Sequence, residues 1–200
     1  MGRFKAEARV GDAFAPAAPL LAEIERLKRE VAIARARVAE LEARADIDSQ
    51  LDILNRRGFE RELERARAHV QRYGTQAALM FIDLDGFKAI NDRYGHGVGD
   101  AVLKAVAREL SSHVRASDII GRLGGDEFGV LIWRVDEAQA TAKARELETR
   151  IGGVAIAHGQ ARIQAAASVG TAPLLAECSA TEIIAAADRA MYVRKEQRRG

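Results

Sequence analysis

Apolar side chains recur over residues 20–45 in unbroken steps of three and four, at Leu20, Ile24, Leu27, Val31, Ala34, Val38, Leu41 and Ala45. This spacing is a heptad seam, which restricts the segment to a helix with one narrow apolar stripe. With Ile24 at position a, the a sites are β-branched and most d sites are leucine, a combination that favours two parallel strands. We therefore predict that residues 20–47 form a parallel, dimeric coiled coil.

The residues beside the seam support this pairing. Three pairs of opposite charge would face each other across a parallel dimer, namely Glu23 with Lys28, Glu30 with Arg35, and Arg37 with Glu42. Because Ala34 and Ala45 weaken the seam, we expect modest stability. The alternative is a single amphipathic helix that lies on its own domain. Residues 1–19 show no sustained period and are predicted to be a linker or an irregular segment.

The composition limits the partners and the location of the chain. Its 31 basic and 29 acidic side chains give a formal net charge of +2, too balanced for a protein that coats nucleic acid or an anionic membrane. The single cysteine, Cys178, excludes an intrachain disulfide and a thiolate metal cage. The sequence has no run of 18 apolar residues and no signal-peptide pattern. We expect a soluble, cytoplasmic protein with no nucleic-acid or membrane partner.

After the heptad segment, the pattern changes to alternating helices and strands over about 150 residues, which suits one domain. Apolar runs at 77–82, 119–122 and 128–133 are typical of strands, and the last two flank a glycine pair that predicts a hairpin. The order strand, helix, hairpin, helix, strand, helix indicates an α/β or α+β domain. We predict a mixed central sheet flanked by helices, formed by residues 48–200.

Three polar clusters interrupt the apolar pattern of this domain. The first, Phe-Ile-Asp-Leu-Asp-Gly-Phe-Lys at 81–88, leads from a buried strand into carboxylates, a glycine turn and a lysine. The second is Gly-Gly-Asp-Glu at 124–127. The third is a glycine-rich loop at 91–100, whose terminal amide and carboxylate can together read the edge of a guanine. If the strand that ends at Asp83 and the strand that follows Asp126 are neighbours, these two carboxylates converge. They then raise each other's pKa unless a divalent cation lies between them.

At these clusters the sequence resembles the GGDEF family, the diguanylate cyclases. The resemblance extends from about Asp48 to Gly200, through Asp-Leu-Asp-Gly-Phe-Lys, Asn-Asp-Arg-Tyr-Gly-His-Gly-Val-Gly-Asp and Gly-Gly-Asp-Glu-Phe in the family's order and spacing. It implies a palm-like nucleotidyl cyclase fold that joins two GTP molecules into cyclic di-GMP (c-di-GMP) and releases two pyrophosphates. It also implies that each domain of a homodimer presents one GTP, so a lone domain holds half a site.

The resemblance implies a role for each residue near the metal. Asp83, Asp126 and the carbonyl of Leu84 would hold Mg²⁺, with two ions expected for each half-site and Mn²⁺ as a substitute. Glu127 would assist metal binding or deprotonate the attacking hydroxyl. Lys88 would stabilise the charge that develops on the phosphates. Mg²⁺ is the expected ion because every ligand is an oxygen.

Four further residues match the family's substrate contacts. Asn91 and Asp100 would recognise guanine, and Lys195 and Arg199 would contact the phosphates. The alternative to an enzyme is a catalytically silent receptor that binds GTP or c-di-GMP.

The stretch Arg115-Ala-Ser-Asp118 begins nine residues before the first signature glycine and matches the family's inhibitory product-binding motif. An arginine pairs with phosphate or stacks on guanine, and an aspartate accepts from the guanine edge. Arg122, closer to the signature, is included in this candidate site. The resemblance therefore implies product inhibition by c-di-GMP, whereas the alternative is a surface salt bridge.

One segment departs from the family pattern. Residues 48–53 read Asp-Ser-Gln-Leu-Asp-Ile, where the family has Asp-x-Leu-Thr-Gly-Leu. The Thr-Gly turn is missing. Because this segment joins the predicted coiled coil to the domain, the departure bears on the geometry of the connection more than on the chemistry.

Overall fold

The computed structural model describes residues 17–199, without the side chains of residues 17, 18, 36, 38–45 and 199. The irregular segment predicted for residues 1–19 lies outside the described residues as far as residue 16. The chain divides into two units, with the boundary between Arg44 and Ala45. None of the helices within residues 17–199 combines the length and apolar character needed to cross a membrane.

Helix α1 (Ala17–Ala45) contains the heptad seam. Arg26 and Lys28 form ion pairs along the helix with Glu23, Glu30 and Glu25 at 2.6–2.8 Å. Five seam side chains are described and all are exposed, with Leu20, Ile24, Leu27 and Val31 at 38–63% and Ala34 exposed as well. The side chains of Val38 and Leu41 lie outside the described set. The helix follows the predicted period, and its pairing with a second copy stays a prediction.

The second unit is built around a four-stranded sheet. Its strands are β1 (Ala77–Leu84), β2 (Ile119–Arg122), β3 (Glu127–Trp133) and β6 (Ala167–Pro173), in the order β2-β3-β1-β6. A separate two-stranded sheet pairs β4 (Ala155–His158) with β5 (Ala161–Gln164). The remaining helices are α2 (Arg56–Tyr73), α3 (Phe87–Tyr94), α4 (His96–Ser112), α5 (Glu137–Gly153) and α6 (Ala180–Arg199).

The prediction of a mixed sheet is wrong, because all three strand pairs of the four-stranded sheet are antiparallel. Strands β1 and β2 do run in the same direction, because each is antiparallel to β3. However, β3 folds back from β2 and inserts between the two, so the parallel strands never pair. One isolated parallel bridge joins Leu54, which lies outside the named strands, to Gly121 of β2.

Strand β1 is buried on both faces, and its alternation sends side chains into two cores. Its even-numbered residues pack in the core that also holds residues of α4 and α5. Its odd-numbered apolar residues pack in the core that holds Phe59 and Leu63 of α2 together with Ile183 of α6. This two-layer burial fixes the register of β1 and therefore the position of the polar residues at its end.

Helix α6 packs unusually close to the sheet at Gly170. A Cβ atom at this position would lie 2.0 Å from the backbone nitrogen of Met191, so the contact requires glycine. The close approach brings the carboxyl-terminal half of α6 to the same sheet edge as the end of β1. This half of α6 carries Lys195 and Arg198.

Residues 46–55, here called the entry loop, close without the missing Thr-Gly turn. Asp52 takes the left-handed conformation at φ 56°, which aspartate tolerates better than most residues. The carboxylate of Asp48 accepts from the backbone nitrogens of Gln50 and Leu51 at 2.9 and 3.0 Å. Asn55 then caps α2 by accepting from the nitrogen of Gly58. The departure from the family pattern therefore leaves an ordered turn.

Candidate functional site

The two acidic clusters converge, as predicted. Asp83 near the end of β1 is the register partner of Glu127 at the start of β3. The backbone nitrogen of Leu84 donates to the carbonyl of Asp126 at 3.1 Å. The antiparallel pairing of β1 with β3 therefore places three carboxylates at one edge of the sheet.

In the signature turn, the side chain of Glu127 lies close to the first glycine. The carboxylate of Glu127 folds back over Gly124, where an added Cβ would lie 2.2 Å from Oε2. The nitrogen of Leu123 donates to the carbonyl of Glu127 at 2.8 Å, which closes the turn. Arg56 of α2 donates to the carbonyl of Leu123 at 3.1 Å. The turn is thus narrow, and it holds Glu127 against its own backbone.

The carboxylates at this edge are electrostatically strained. Burial raises the pKa of Asp126, and the nearby charge of Asp83 raises it further. Burial likewise raises the pKa of Glu127, with added repulsion from Asp83 and Asp126, while Arg56 opposes the shift. A cation at this edge would relieve the repulsion.

Cations from α6 lie against the same edge. Lys195 forms an ion pair with Asp83 and approaches Asp85 at 3.8 Å. Arg198 approaches Asp85 at 3.5 Å and donates to the carbonyl of Ala167. The sequence predicted that Lys195 contacts phosphate. In the structure, its ammonium group pairs with Asp83, which is a predicted metal ligand. The side chain of Arg199 falls outside the described residues.

Sequence reasoning missed Asp85 and Ser168. The hydroxyl of Ser168, which is fully buried, donates to the Asp85 carboxylate at 3.0 and 3.2 Å. Asp85 thereby holds the cations of α6 beside Asp83. The second aspartate of the Asp-Leu-Asp run was a signal that could have identified Asp85, whereas Ser168 becomes its neighbour only through the pairing of β1 with β6.

The predicted guanine residues come together on two successive helices. Asn91 lies in α3, and its buried Oδ1 has no hydrogen-bond partner within residues 17–199. This oxygen faces Gly99 of α4, where a Cβ would lie 1.9 Å away. Asp100 follows Gly99 and is half-buried. Lys88, exposed in the first turn of α3, follows the left-handed turn at Gly86 that ends the β1 cluster.

Arg115 and Asp118 form a separate loop. Asp118 accepts from the nitrogen of Arg115 at 2.9 Å and from that of Trp133 at 3.2 Å. Arg115 is exposed and lines a cavity of about 620 Å³ together with Trp133 and Arg134. The structure does not bring Arg122 into this cavity. Its guanidinium bonds the carbonyls of the signature glycines instead.

The sheet edge that carries Asp83, Asp126 and Glu127 is here called the carboxylate edge. Its residues fit a magnesium site that the substrate completes. No group of three or more His, Cys, Asp or Glu side chains in the described part of the chain is arranged to hold a metal by itself. Mg²⁺ usually takes one or two carboxylates and fills its shell with water and substrate phosphates. Asp83, next to Leu84 in sequence, and Asp126, whose backbone carbonyl bonds the nitrogen of Leu84, supply carboxylates at one sheet edge and match that requirement.

The sequence profile of the family described as "Diguanylate cyclase, GGDEF domain" matches residues 45–200. The chain belongs to the GGDEF family. Among curated relatives, the bifunctional diguanylate cyclase/cyclic di-GMP phosphodiesterase MucR of Pseudomonas aeruginosa is 39% identical over 153 residues, which are 76% of this chain and 22% of MucR. Diguanylate cyclase TpbB of the same species is 36% identical over 170 residues, covering 81% of this chain and 38% of TpbB. The chain thus spans well under half of these relatives.

Solved structures show the same fold. The coiled coil and GGDEF domain of DgcB from Caulobacter crescentus, in complex with c-di-GMP, superposes with a TM-score of 0.74 and 25% identity, over 89% of this chain and 95% of that one. Diguanylate cyclase SiaD of Pseudomonas aeruginosa, in complex with its activator SiaC, gives 0.73 and 27%, over 90% and 70%. The second unit therefore has the palm-like α+β GGDEF fold, with an antiparallel sheet flanked by helices.

Proposed function

We propose that this GGDEF domain is a diguanylate cyclase that condenses two GTP molecules into c-di-GMP and releases two pyrophosphates. The observation that carries the proposal is the convergence of Asp83, Asp126 and Glu127 at one sheet edge, where burial and mutual repulsion raise the pKa of the last two. The relatives named as diguanylate cyclases support the same reaction.

The chain's own residues would prepare the substrate for attack. Asp83, Asp126 and the carbonyl of Leu84 would hold Mg²⁺, with Glu127 assisting. When bound, the ions would neutralise the triphosphate and favour ionisation of the attacking 3′-hydroxyl. A Glu127 carboxylate with a raised pKa is also a stronger base for that proton than an ordinary glutamate.

The remaining site residues would bind GTP. Guanine presents N–H donors on one edge, and the unpaired Oδ1 of Asn91 and the carboxylate of Asp100 are acceptors for them. Lys88 and Lys195 would contact the phosphates, as would Arg199. Lys195 already lies at the carboxylate edge, within reach of a triphosphate placed there.

Each domain would provide half of the reaction. We propose that residues 20–47 form a parallel coiled coil and that the homodimer brings two GTP molecules face to face. The exposed seam of α1 supports this role. In the variant Leu27→Asp, product formation at low protein concentration should fall at least about tenfold and recover at high concentration, because dimerisation becomes limiting. Equal specific activity at all concentrations would contradict the role of the seam.

Product inhibition is proposed at the loop of Arg115 and Asp118. The exposed guanidinium of Arg115 opens onto the cavity beside Trp133, and this supports binding of a phosphate or guanine there. The neighbours crystallised with c-di-GMP support the choice of ligand. Arg122 was grouped with this site from sequence, but its bonds to the signature turn favour a different role.

The direct test is to incubate the purified protein with GTP and Mg²⁺ and to follow c-di-GMP and pyrophosphate by chromatography. We expect both products in a 1:2 ratio, and the reaction should stop when EDTA is added. Arg108→Met, on an exposed face of α4, is a matched control that should keep full activity. If the wild type binds GTP but forms no product, the chain is a silent receptor.

A further inference from the structure

The guanidinium of Arg122 joins two segments that are far apart in sequence. Its Nε donates to the carbonyls of Gly124 and Gly125 at 3.0 and 3.2 Å, and Nη2 donates to that of Gly125 at 2.7 Å. On its other side, Nη1 donates to Asp48 at 3.2 Å and to Gln50 at 3.0 Å. One side chain, only 18% exposed, therefore bonds both the signature turn and the entry loop.

The backbone reinforces this link on the entry-loop side. The nitrogen of Arg122 donates to the carbonyl of Leu54 at 2.7 Å, and the nitrogen of Leu54 donates to the carbonyl of Ile120 at 3.3 Å. The loop itself is closed by the turn that Asp48 stabilises. The guanidinium is thus anchored to an ordered segment, so it can transmit a displacement of the loop.

The signature turn needs such an outside support. Gly124 and Gly125 have no side chains to restrict their backbone, and a glycine pair loses more conformational freedom on ordering than other residues do. Within the turn, the nitrogen of Gly124 reaches the carbonyl of Glu127 only at 3.4 Å. Arg122 contributes three contacts to the two glycine carbonyls, and these peptide units come directly before Asp126.

We propose that Arg122 is a positioning residue for the cyclase reaction, which couples the conformation of the entry loop to the orientation of Asp126 and Glu127. The inference rests on the proposed function. Four of the five guanidinium N–H groups are engaged in these bonds, so the side chain is not free to bind the inhibitory product. Because the entry loop directly follows α1 in the chain, it is the first segment of the domain that a change in α1 would reach.

The test compares Arg122→Met, Arg122→Lys and Gln50→Leu with the control Arg108→Met. Steady-state kinetics with GTP gives kcat and KM, and hydrogen exchange reports on peptides that cover residues 46–55 and 122–127. Arg122→Met should lower kcat by about 10- to 100-fold, in the range found when supports of metal ligands are removed, with little change in KM. Arg122→Lys should recover only part of this loss, because one ammonium group cannot span both sides.

Gln50→Leu provides the decisive case, since it leaves Arg122 and the signature turn chemically intact. We expect a drop in kcat of a few-fold and faster exchange at residues 122–127, although the altered side chain lies 72 residues before Arg122. Faster exchange at residues 46–55 alone would overturn the coupling, as would a wild-type kcat in Arg122→Met. A loss of c-di-GMP affinity without a loss of kcat would make Arg122 a ligand contact and would also overturn it.

The two proposals can fail separately. If the wild type makes no c-di-GMP, the proposed function fails, and the exchange data for Gln50→Leu still decide whether the loop and the turn are coupled. If the wild type is active and Arg122→Met is equally active, only the coupling fails. Should Arg122→Met not fold, Gln50→Leu alone carries the decision.

Discussion

The carboxylates of this domain lie in two opposite kinds of environment. Asp118 accepts hydrogen bonds from two backbone nitrogens, and its charge is used to shape a loop. Asp126 and Glu127 lie beside Asp83, and burial together with that repulsion raises the pKa of both. The difference separates an acid whose charge is satisfied by the fold from acids that lie beside like charge. It supports the proposal that the carboxylate edge is the reactive site, independently of any relative.

The buried Asp46 strengthens this contrast. It is 1% exposed, yet it pairs with Arg57 at 2.9 Å and with Arg61. Its carbonyl accepts from the nitrogen of Asn55 at 2.8 Å. An acid far more deeply buried than Asp126 is therefore paired with two arginines, so burial alone does not mark a functional carboxylate. What marks it is burial beside like charges.

The largest expected effect is on kcat, which should fall when a carboxylate of the carboxylate edge is replaced and should change little when Asp118 is replaced. Asp126→Asn should lower kcat by more than about 100-fold, because a metal ligand is lost and not merely its support. Asp118→Asn keeps an acceptor oxygen for one of the two backbone nitrogens, and its contact with Trp133 lies at the opposite end of β3 from Glu127, so kcat should stay within about threefold of the wild type. Chromatographic product assays at saturating GTP and Mg²⁺ measure both. Comparable losses in the two variants would remove the distinction.

The next effect concerns inhibition. Arg115→Ala should weaken inhibition by c-di-GMP by at least about tenfold, because a charge-assisted contact to the ligand is lost. Turnover at zero product should be unchanged, since Arg115 lies beside Trp133, at the opposite end of β3 from Glu127. Initial rates with added c-di-GMP measure the effect, and Arg108→Met is the control. Inhibition of equal strength in wild type and Arg115→Ala would show that the loop does not bind product.

The smallest effect is on the stability of the metal-free protein. The folded state raises the pKa of Asp126 above its unfolded value, so it binds a proton more tightly than the unfolded state. The charged form therefore costs stability above the folded pKa, and this cost disappears as pH falls through that pKa toward the ordinary carboxyl range near 4. In EDTA at neutral pH, Asp126→Asn should be more stable than wild type.

The gain should be below about 1 kcal/mol, because solvent screens a partly exposed group. Denaturant unfolding at pH 7 and pH 4 measures it, and the difference between the variant and the wild type should shrink at the lower pH. Asp118→Ala is the opposite control and should lose about 1–2 kcal/mol at pH 7, since two backbone donors lose their acceptor. A less stable Asp126→Asn at neutral pH would mean that the carboxylate is satisfied in the folded state.

Much of the site was predictable because its motifs lie at strand ends. The continuous apolar run and the polar residues after it located β1, and the glycine pair predicted the hairpin whose turn carries Asp126. The strand order was not predictable in the same way. Long-range packing determines that β3 inserts between β1 and β2. The local hydrophobic periodicity of a strand does not specify which strands it pairs with.

The supporting residues escaped the sequence for a related reason. Ser168 meets Asp85 only across the pairing of β1 with β6, and Gln50 meets Arg122 only across 72 residues of chain. Neither residue type is distinctive by itself. Arg122 was assigned to the inhibitory loop because it is close to Arg115 in sequence, while its side chain points to the signature turn.

In the structure, the ammonium group of Lys195 already lies at the carboxylate edge, where it pairs with Asp83. Any ion that arrives there must compete with a tethered ammonium group. A nucleotide that brings both an ion and phosphate oxygens offers that ammonium a new partner, whereas a bare ion leaves it unpaired. In the proposed cyclase, the last helix would thus favour the joint arrival of metal and nucleotide over the metal alone.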